Sequence, residues 1–305
     1  MTCVCGYEFV LDKQLDEGLT DGRFLAAAKR ASRDDTAYFT ENQLYTALCR
    51  TLFPRFALRY ATALWIVGGP IAVFLLFVGQ PAVAMLIAIF ITLFSLMFLG
   101  RRLFYSPPDR YRLPDWIQRI RAGGHRLDRL IDKPSLDKPP PDWSEPDIYD
   151  YGVERLLVVE RPLLVDLLVK NGLHSEARTL IVSEGGYPSH IMNRVPKLFE
   201  ERPDLPVFIL HDATPDGLGM RQRMSESRVW SGVAQNAVDL GVFPDDLKKL
   251  GLPALRGNRD GWALPVDTLN PSVLAGLLGT ALSTGDALAD VIANKLTSED
   301  GVGYG

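Results

Sequence analysis

Two short apolar runs that each end in acidic residues most constrain how this chain of 305 residues can fold. The first is LLVVE at Leu156–Glu160, and the second is FILHDATPDG at Phe208–Gly217. An apolar run without polar alternation is typical of a strand that is covered on both faces in a parallel sheet. Acids that follow such strands lie at the edge where open α/β sheets bind their ligands. If these carboxylates converge, they form an oxygen-rich site for a hard divalent cation.

Strand and helix patterns alternate from Arg155 onward, as they do in the βαβ units of a parallel sheet. They predict strands over 156–159, 179–182 and 206–210 and helices over 162–171, 189–201, 217–227 and 271–296. The α/β domain is expected to cover residues 149–253, with a helical C-terminal extension over 254–305. The net charge of −4 argues against a protein that coats nucleic acid by bulk charge alone.

Two charge-free runs at 61–78 and 82–99 give the clearest hydrophobic signal, and Gly79-Gln80-Pro81 separates them. Each run approaches the roughly 20 residues that a helix needs to cross a bilayer. We therefore predict a transmembrane helical hairpin over 61–99, because helices satisfy their own backbone hydrogen bonds in lipid. A buried hairpin in a soluble core is the alternative.

Arginines flank both ends of this hairpin, and such residues favour the cytoplasmic side of a membrane. They predict a multi-pass protein of the inner (plasma) membrane with both termini cytoplasmic and the lipid bilayer as a partner. The residues concerned are Arg50, Arg55, Arg59, Arg101 and Arg102.

The N-terminal segment, residues 1–60, is expected to be cytoplasmic and helical in part. Thr40-Glu41-Asn42-Gln43 has the form of a capping box, and Leu44, Leu48 and Leu52 continue it with helical spacing. Cys3 and Cys5 resemble half of a zinc knuckle, but no second ligand pair follows at the required spacing, so reduced thiols are the favoured interpretation.

Residues 100–148 form a basic, proline-rich connector, with an amphipathic helix expected after Pro114. We favour a role for its arginines at anionic headgroups or within the fold over contacts to a nucleic-acid backbone.

Residues 156–253 resemble the Toprim domain, in the version found in the A subunit of topoisomerase VI and its meiotic double-strand-break relatives. The motifs that carry this resemblance are VVE at 158–160, SEGGYPSHIMNR at 183–194, HDATPDG at 211–217 and LGVFPDDL at 240–247. The resemblance implies a parallel sheet flanked by helices and a bound Mg²⁺. Carried over by position, Glu160 and Asp212 are the implied magnesium ligands and the catalytic candidates.

One position departs from the family motif. In the family, a second acidic residue stands two positions after the first. This chain has Thr214 there, which offers a neutral oxygen in place of a carboxylate. Asp216 is a candidate third metal ligand, and a turn-forming role beside Pro215 and Gly217 is its alternative. Two carboxylates can suffice, since magnesium often keeps several waters.

Two functions follow from these residues, and whether the chain is an enzyme stays open between them. The favoured one is a membrane-anchored, cytoplasm-facing protein that hydrolyses phosphodiesters in nucleic acid, DNA in the first place, with Mg²⁺. The alternative is a catalytically degenerate Toprim module that acts as a membrane-tethered DNA-binding or assembly protein.

A partner protein or a second copy that completes the site is a third option. Strand passage is not expected, because the relatives carry their attacking tyrosine on a preceding winged-helix domain and this chain has the apolar hairpin there. Four basic residues are candidate phosphate contacts, with an ordinary surface role as the alternative: His190, Arg221, Arg223 and Arg228.

Overall fold

The computed structural model describes residues 9–53, 57–103, 105–137, 152–243 and 265–298. Cys3 and Cys5 lie outside these ranges, as do residues 138–148 of the connector and the second half of the LGVFPDDL motif. The expectations for those residues remain predictions.

The first part of the chain is mainly helical. Its elements are α1 (Asp21–Ala31), β1 (Phe39–Thr40), α2 (Glu41–Leu52), α3 (Ala57–Phe77), α4 (Pro81–Leu103), α5 (Leu113–Ala122) and β2 (Leu130–Ile131). The short strands β1 and β2 pair in parallel. Apolar faces of α1, α2 and α5 share one core, which buries Phe24, Leu44 and Trp116 completely.

The predicted capping box at the start of α2 is confirmed. The Gln43 backbone N–H donates to Thr40 Oγ1, and the Thr40 backbone N–H donates to Gln43 Oε1 at 3.0 Å. These bonds satisfy two N–H groups that a helix start otherwise leaves unpaired.

Helices α3 and α4 form the apolar hairpin, but the predicted transmembrane character is not supported. Within the described residues, no single helix is both long and apolar enough to cross a membrane. The apolar helices there cover Thr62–Phe77 and Pro81–Met97.

The arginines of the connector take part in the fold of the N-terminal unit. Arg112 and Arg119 donate to the fully buried carboxylate of Asp16 at 3.0 and 2.9 Å, and Arg121 pairs with Asp132 at 2.8 Å. These contacts favour the structural interpretation of the basic connector for the three arginines concerned.

The second part of the chain alternates strands and helices. Its elements are β3 (Arg155–Val159), α6 (Pro162–Lys170), α7 (Leu173–Glu176), β4 (Thr179–Ser183), α8 (Ser189–Met192), α9 (Val195–Glu201), β5 (Val207–Leu210), α10 (Pro215–Leu218), α11 (Met220–Glu226) and β6 (Val238–Asp239). The sheet order is β4-β3-β5-β6, and every pairing is parallel. The α/β class and the parallel sheet are thus confirmed.

Strand β3 is buried on both faces, which explains its lack of polar alternation. Leu157 and Val159 pack into one core, and Leu156 and Val158 pack into the core on the opposite face. All four side chains are fully buried. Successive residues of a strand point to opposite faces, so two apolar cores require an uninterrupted apolar sequence.

Three predicted helices are each divided in two. Residues 189–201 form α8 and α9, and residues 217–227 fall in α10 and α11. The predicted C-terminal helix is split into α12 (Pro271–Thr284) and α13 (Leu288–Ser298). Gly285 has φ of 78° and accounts for the last break, because a left-handed residue ends a helix and glycine adopts it readily.

Candidate functional site

The sheet brings Glu160 and Asp212 together, as the strand pattern predicts. Val159 lies opposite Leu210 in the register of β3 and β5, and the Glu160 N–H donates to the Leu210 carbonyl at 3.1 Å. Glu160 Oε2 in turn accepts the backbone N–H of Asp212 at 2.8 Å. The two candidate acids are therefore neighbours at the carboxyl end of adjacent strands.

Glu160 lies in a partly buried environment that disfavours its charge. Burial raises the pKa of the Glu160 carboxyl, and the nearby Asp212 carboxylate raises it further. The Asp212 N–H, Arg161 and His211 act in the opposite direction, but the net shift of the pKa is upward. A carboxyl with a raised pKa at a strand end is a common feature of functional sites.

The Asp212 carboxylate is almost completely buried and is engaged by partners on both oxygens. Arg161 Nε donates to Oδ2 at 2.6 Å, and Arg161 Nη2 donates to Oδ1 at 3.2 Å. The backbone N–H of Val266 also donates to Oδ1, at 2.7 Å. These donors compensate the charge of Asp212 within the protein.

Arg161 also binds Asp267, and sequence reasoning missed both residues. Nη2 of Arg161 lies 2.7 Å from Asp267 Oδ1, and Asp267 is fully buried. Burial alone would lower the pKa of the Arg161 guanidinium, but the carboxylates of Asp267 and Asp212 raise it overall. The one signal in the sequence is an arginine directly after Glu160 at the end of a buried strand.

Thr214 and Asp216 do not complete an acidic triad in the described residues. Thr214 caps α10, since its Oγ1 accepts the Gly217 N–H at 2.9 Å. Asp216 is exposed in the first turn of α10, and its backbone carbonyl accepts Arg223 Nη1 at 2.6 Å. Among the described side chains, no group of three or more His, Cys, Asp or Glu is arranged to hold a metal ion.

Gly217 allows this turn to pack directly against the acidic pair. A Cβ at position 217 would lie 2.2 Å from the Asp212 carbonyl oxygen and 2.8 Å from Glu160 Oε2. No side chain fits there without moving the backbone. The glycine of the HDATPDG motif therefore fixes how closely α10 approaches Glu160.

Among the residues that the structure describes, partners are seen for three of the four candidate phosphate contacts. Arg223 makes a bidentate ion pair with Glu184, with N···O distances of 2.7 and 2.8 Å. Arg221 donates to the Ala234 carbonyl at 3.0 Å. His190 lies 3.3 Å from the carbonyl of Asp137. The side chain of Arg228, the fourth candidate, lies at the surface.

His211 is buried beside the acids and links β5 to β6. Its Nδ1 lies 2.8 Å from the Asp212 carbonyl, and its Nε2 lies 3.2 Å from Asp239 Oδ1. Burial would lower the pKa of His211, but Asp239 and the Asp212 carbonyl raise it overall. Both ring nitrogens face acceptors, an arrangement that suits the doubly protonated imidazolium.

These features define an open parallel α/β domain with acidic residues at the ends of its two central strands. Residues 155–261 match the family of the Toprim domain of Spo11 and of the topoisomerase 6 A subunit. A Toprim domain of this type is therefore supported for that part of the chain.

Three curated relatives are each described as the A subunit of a type 2 DNA topoisomerase 6. The chain is 32% identical over 101 residues to the protein from Hyperthermus butylicus, which is 32% of this chain and 26% of the relative. The protein from Aeropyrum pernix is 32% identical over 101 residues, 32% of this chain and 25% of the relative. For Sulfurisphaera tokodaii the identity is 31% over 101 residues, 32% of this chain and 26% of the relative.

The chain thus spans about a quarter of the length of these curated relatives. No solved structure matches it significantly.

Mg²⁺ is the cation that Toprim domains typically bind, but the described residues do not fit it in their present arrangement. Arg161 and Val266 already engage both carboxylate oxygens of Asp212, and the Thr214 hydroxyl caps a helix. Magnesium requires oxygen ligands at about 2.0–2.1 Å in near-octahedral geometry. Glu160 and Asp212 would have to exchange their present partners to meet that requirement.

Proposed function

We propose that this chain acts on DNA through its Toprim domain as a binding or assembly module that works without a bound metal. The observation that carries the proposal is the ion pair between Arg161 and Asp212, with N···O distances of 2.6 and 3.2 Å. DNA as the partner is supported by the relatives, which are components of DNA topoisomerases by description.

Charge compensation is the reason for favouring binding over hydrolysis. A divalent cation binds most strongly to carboxylates whose charge is not already balanced. At this edge the guanidinium of Arg161 supplies the balancing charge, and threonine replaces the second acid at position 214. In the proposed module, the carboxyl end of the sheet therefore has a structural role and does not hold a catalytic metal ion.

Binding and cleavage of DNA by the full-length chain test this proposal together. We expect a labelled duplex to bind in the presence of EDTA and to remain uncut with Mg²⁺. Fluorescence anisotropy measures the binding, and plasmid and linear DNA on gels report cleavage. Absence of DNA binding under both conditions would contradict the proposed partner.

Mg²⁺-dependent hydrolysis of phosphodiesters is the second candidate, and the raised pKa of Glu160 beside Asp212 favours it. It predicts cleavage that is lost in both Glu160→Gln and Asp212→Asn. Glu154→Gln is the matched control, because Glu154 pairs with Arg178 in an exposed position. Cleavage with this pattern would replace the binding module as the function of the domain.

We also propose that the hairpin α3–α4 attaches the chain to the inner (plasma) membrane with both termini cytoplasmic. Trp65, Ile66 and Val67 are exposed at consecutive positions of α3, and Met85 and Leu86 are exposed in α4. Consecutive helical residues point in different directions, so the apolar surface extends around each helix. Exposed apolar surface of this extent marks a site of interaction.

Flotation of the full-length chain with phospholipid vesicles tests the attachment. Ile66→Lys combined with Leu86→Lys should reduce the floated fraction, because a charge in the hydrocarbon region is unfavourable. Leu218→Lys is the control, since Leu218 is an exposed leucine of α10 outside the hairpin. A wild-type chain that stays at the bottom of the gradient would contradict membrane attachment.

A further inference from the structure

We infer that Arg161 is a built-in counter-ion that occupies the place of a divalent cation between Asp212 and Asp267. Through this position it fastens the N-terminal helical unit to the edge of the Toprim sheet. The inference rests on the proposed metal-independent function. It adds that Arg161 balances the charge of Asp267 as well as that of Asp212, and that this contact joins two parts of the chain.

The geometry places one guanidinium nitrogen between two buried acids. Arg161 Nη2 lies 2.7 Å from Asp267 Oδ1 and 3.2 Å from Asp212 Oδ1. The two carboxylate oxygens are therefore close to each other, and Asp267 and Asp212 are 0% and 3% exposed. Two buried like charges at this separation need a cation between them.

Arginine suits this position better than a small metal ion does. Its planar fork binds Asp212 through Nε and Nη2 at once, while Nη2 also reaches Asp267. Two of the three N···O distances, 2.6 Å to Asp212 and 2.7 Å to Asp267, are as short as those of charge-assisted hydrogen bonds. Magnesium would require both acids to move inward to about 2.0–2.1 Å.

Asp267 carries the connection onward to the N-terminal unit. Its Oδ2 accepts the Thr40 hydroxyl at 2.6 Å, and its Oδ1 accepts Asn42 Nδ2 at 2.9 Å. Thr40 is the N-cap of α2, and Gln43 of the same cap donates to the Leu269 carbonyl at 2.7 Å. The start of α2 is thus joined through Asp267 and Arg161 to Asp212.

A charge-rescue experiment on the full-length chain tests the inference. Thermal unfolding is measured in EDTA and in millimolar MgCl₂ for wild type, R161Q, R161K and R178Q. R161Q should lower the midpoint in EDTA by roughly 6–15 °C, because it leaves two buried acids without their cation. Mg²⁺ should restore several degrees of that loss, and the restoration should vanish in R161Q/D267N.

The remaining variants and the wild type isolate the role of the charge. The wild-type midpoint should be the same in EDTA and Mg²⁺, and R161K should keep more stability than R161Q with no Mg²⁺ response. R178Q removes an arginine that is 66% exposed and paired with Glu154, so its midpoint should stay within roughly 2 °C of wild type.

Three outcomes would overturn the inference. In the first, Mg²⁺ raises the unfolding midpoint of the wild type but not that of D212N, which shows that a metal already binds at this place. Another is an R161Q midpoint equal to that of wild type. The third is a destabilised R161Q that Mg²⁺ does not restore. If R161Q does not fold, the wild type and D212N are titrated with MgCl₂ in a calorimeter instead. Binding of Mg²⁺ to the wild type that is lost in D212N overturns the inference, and absence of binding to the wild type supports it. DNA binding is measured separately, so its failure is distinguishable from all of these.

Discussion

The hairpin α3–α4 and the strand β3 have similar apolar sequences but opposite environments. Leu156–Val159 of β3 is fully buried between two cores, whereas Ile66 of α3 and Leu86 of α4 are 72% and 64% exposed. Both segments lack charged residues over the stretches compared. An apolar run therefore indicates that a segment will be covered, but it does not indicate what will cover it.

The difference lies in what the rest of the chain supplies. On either side of β3 the chain provides helices whose apolar faces complete a core, so folding removes the strand from water. Within the hairpin, Ala84 and Ile91 of α4 are buried while large side chains around them remain exposed. Burial of apolar surface is favourable by about 25 cal/mol per Å², so covering these exposed side chains with an external partner would be strongly favourable.

Truncating one leucine in each region gives the largest effect and tests this comparison directly. Leu157→Ala should lower the free energy of unfolding by about 2–5 kcal/mol, because it opens a cavity in a buried core. Leu86→Ala should change it by less than about 0.5 kcal/mol. Urea denaturation of the full-length variants measures both. Equal losses would mean that Leu86 is buried in solution, and the contrast between the regions would fail.

Two glycines at close contacts sharpen the comparison at a smaller scale. Gly217→Ala should cost about 1–3 kcal/mol, because its Cβ would meet the backbone oxygen of Asp212 at 2.2 Å. Gly68→Ala in α3 should cost less, since the atom that its Cβ would meet at 2.3 Å is the flexible end of Ile91. Alanine also favours a helix by about 1 kcal/mol over glycine.

Thermal unfolding midpoints of the two alanine variants check this expectation, and Gly232→Ala is a control with no heavy atom within 4 Å of its added Cβ. A larger loss in Gly68→Ala than in Gly217→Ala would show that the hairpin is the more tightly packed region.

The sequence was sufficient for features that depend on neighbouring residues. The capping box of α2 spans four residues, and the strands β3, β4 and β5 follow from their own apolar runs. The approach of Glu160 to Asp212 also follows, because parallel strands place their carboxyl ends at the same edge.

Contacts between distant segments could not be predicted in this way. Arg161 and Asp267 are separated by 106 residues, and Thr40 and Asp267 by 227. No local pattern marks Asp267 as a partner, since its role depends on how the C-terminal segment packs beside the sheet. Similarly, the periodicity of residues 271–296 predicts one helix, and only the left-handed Gly285 reveals the break.

The pH dependence of stability is the smallest of the three expected effects, and it also separates the two regions. Residues 62–97 of the hairpin contain no titratable side chain, so pH should act on the rest of the chain. Within the sheet, the pair of His211 and Asp239 has opposite shifts. The pKa of His211 is raised above 6.5, and that of Asp239 is lowered below 3.8. Burial opposes both shifts, but the interaction between the two side chains outweighs it.

The sign of the effect follows from these directions. A raised pKa of His211 means that its contribution is complete below pH 6.5 and is lost as the pH rises through the pKa of the folded state. The lowered pKa of Asp239 means that its contribution is present above pH 3.8 and is lost as the pH falls through its folded value. The pair should therefore stabilise the protein most between these limits.

Urea denaturation at pH 6 and pH 8 measures the upper limit of this window. The pH-dependent loss of stability should be smaller in His211→Gln than in wild type, because the variant lacks the titrating ring. His125→Gln is the control, since His125 follows α5 in the N-terminal unit and not the edge of the Toprim sheet. If the loss of stability between pH 6 and pH 8 is the same in His211→Gln as in wild type, the pH-sensitive group lies elsewhere in the chain. The contact of His211 with Asp239 would then not contribute to this pH dependence.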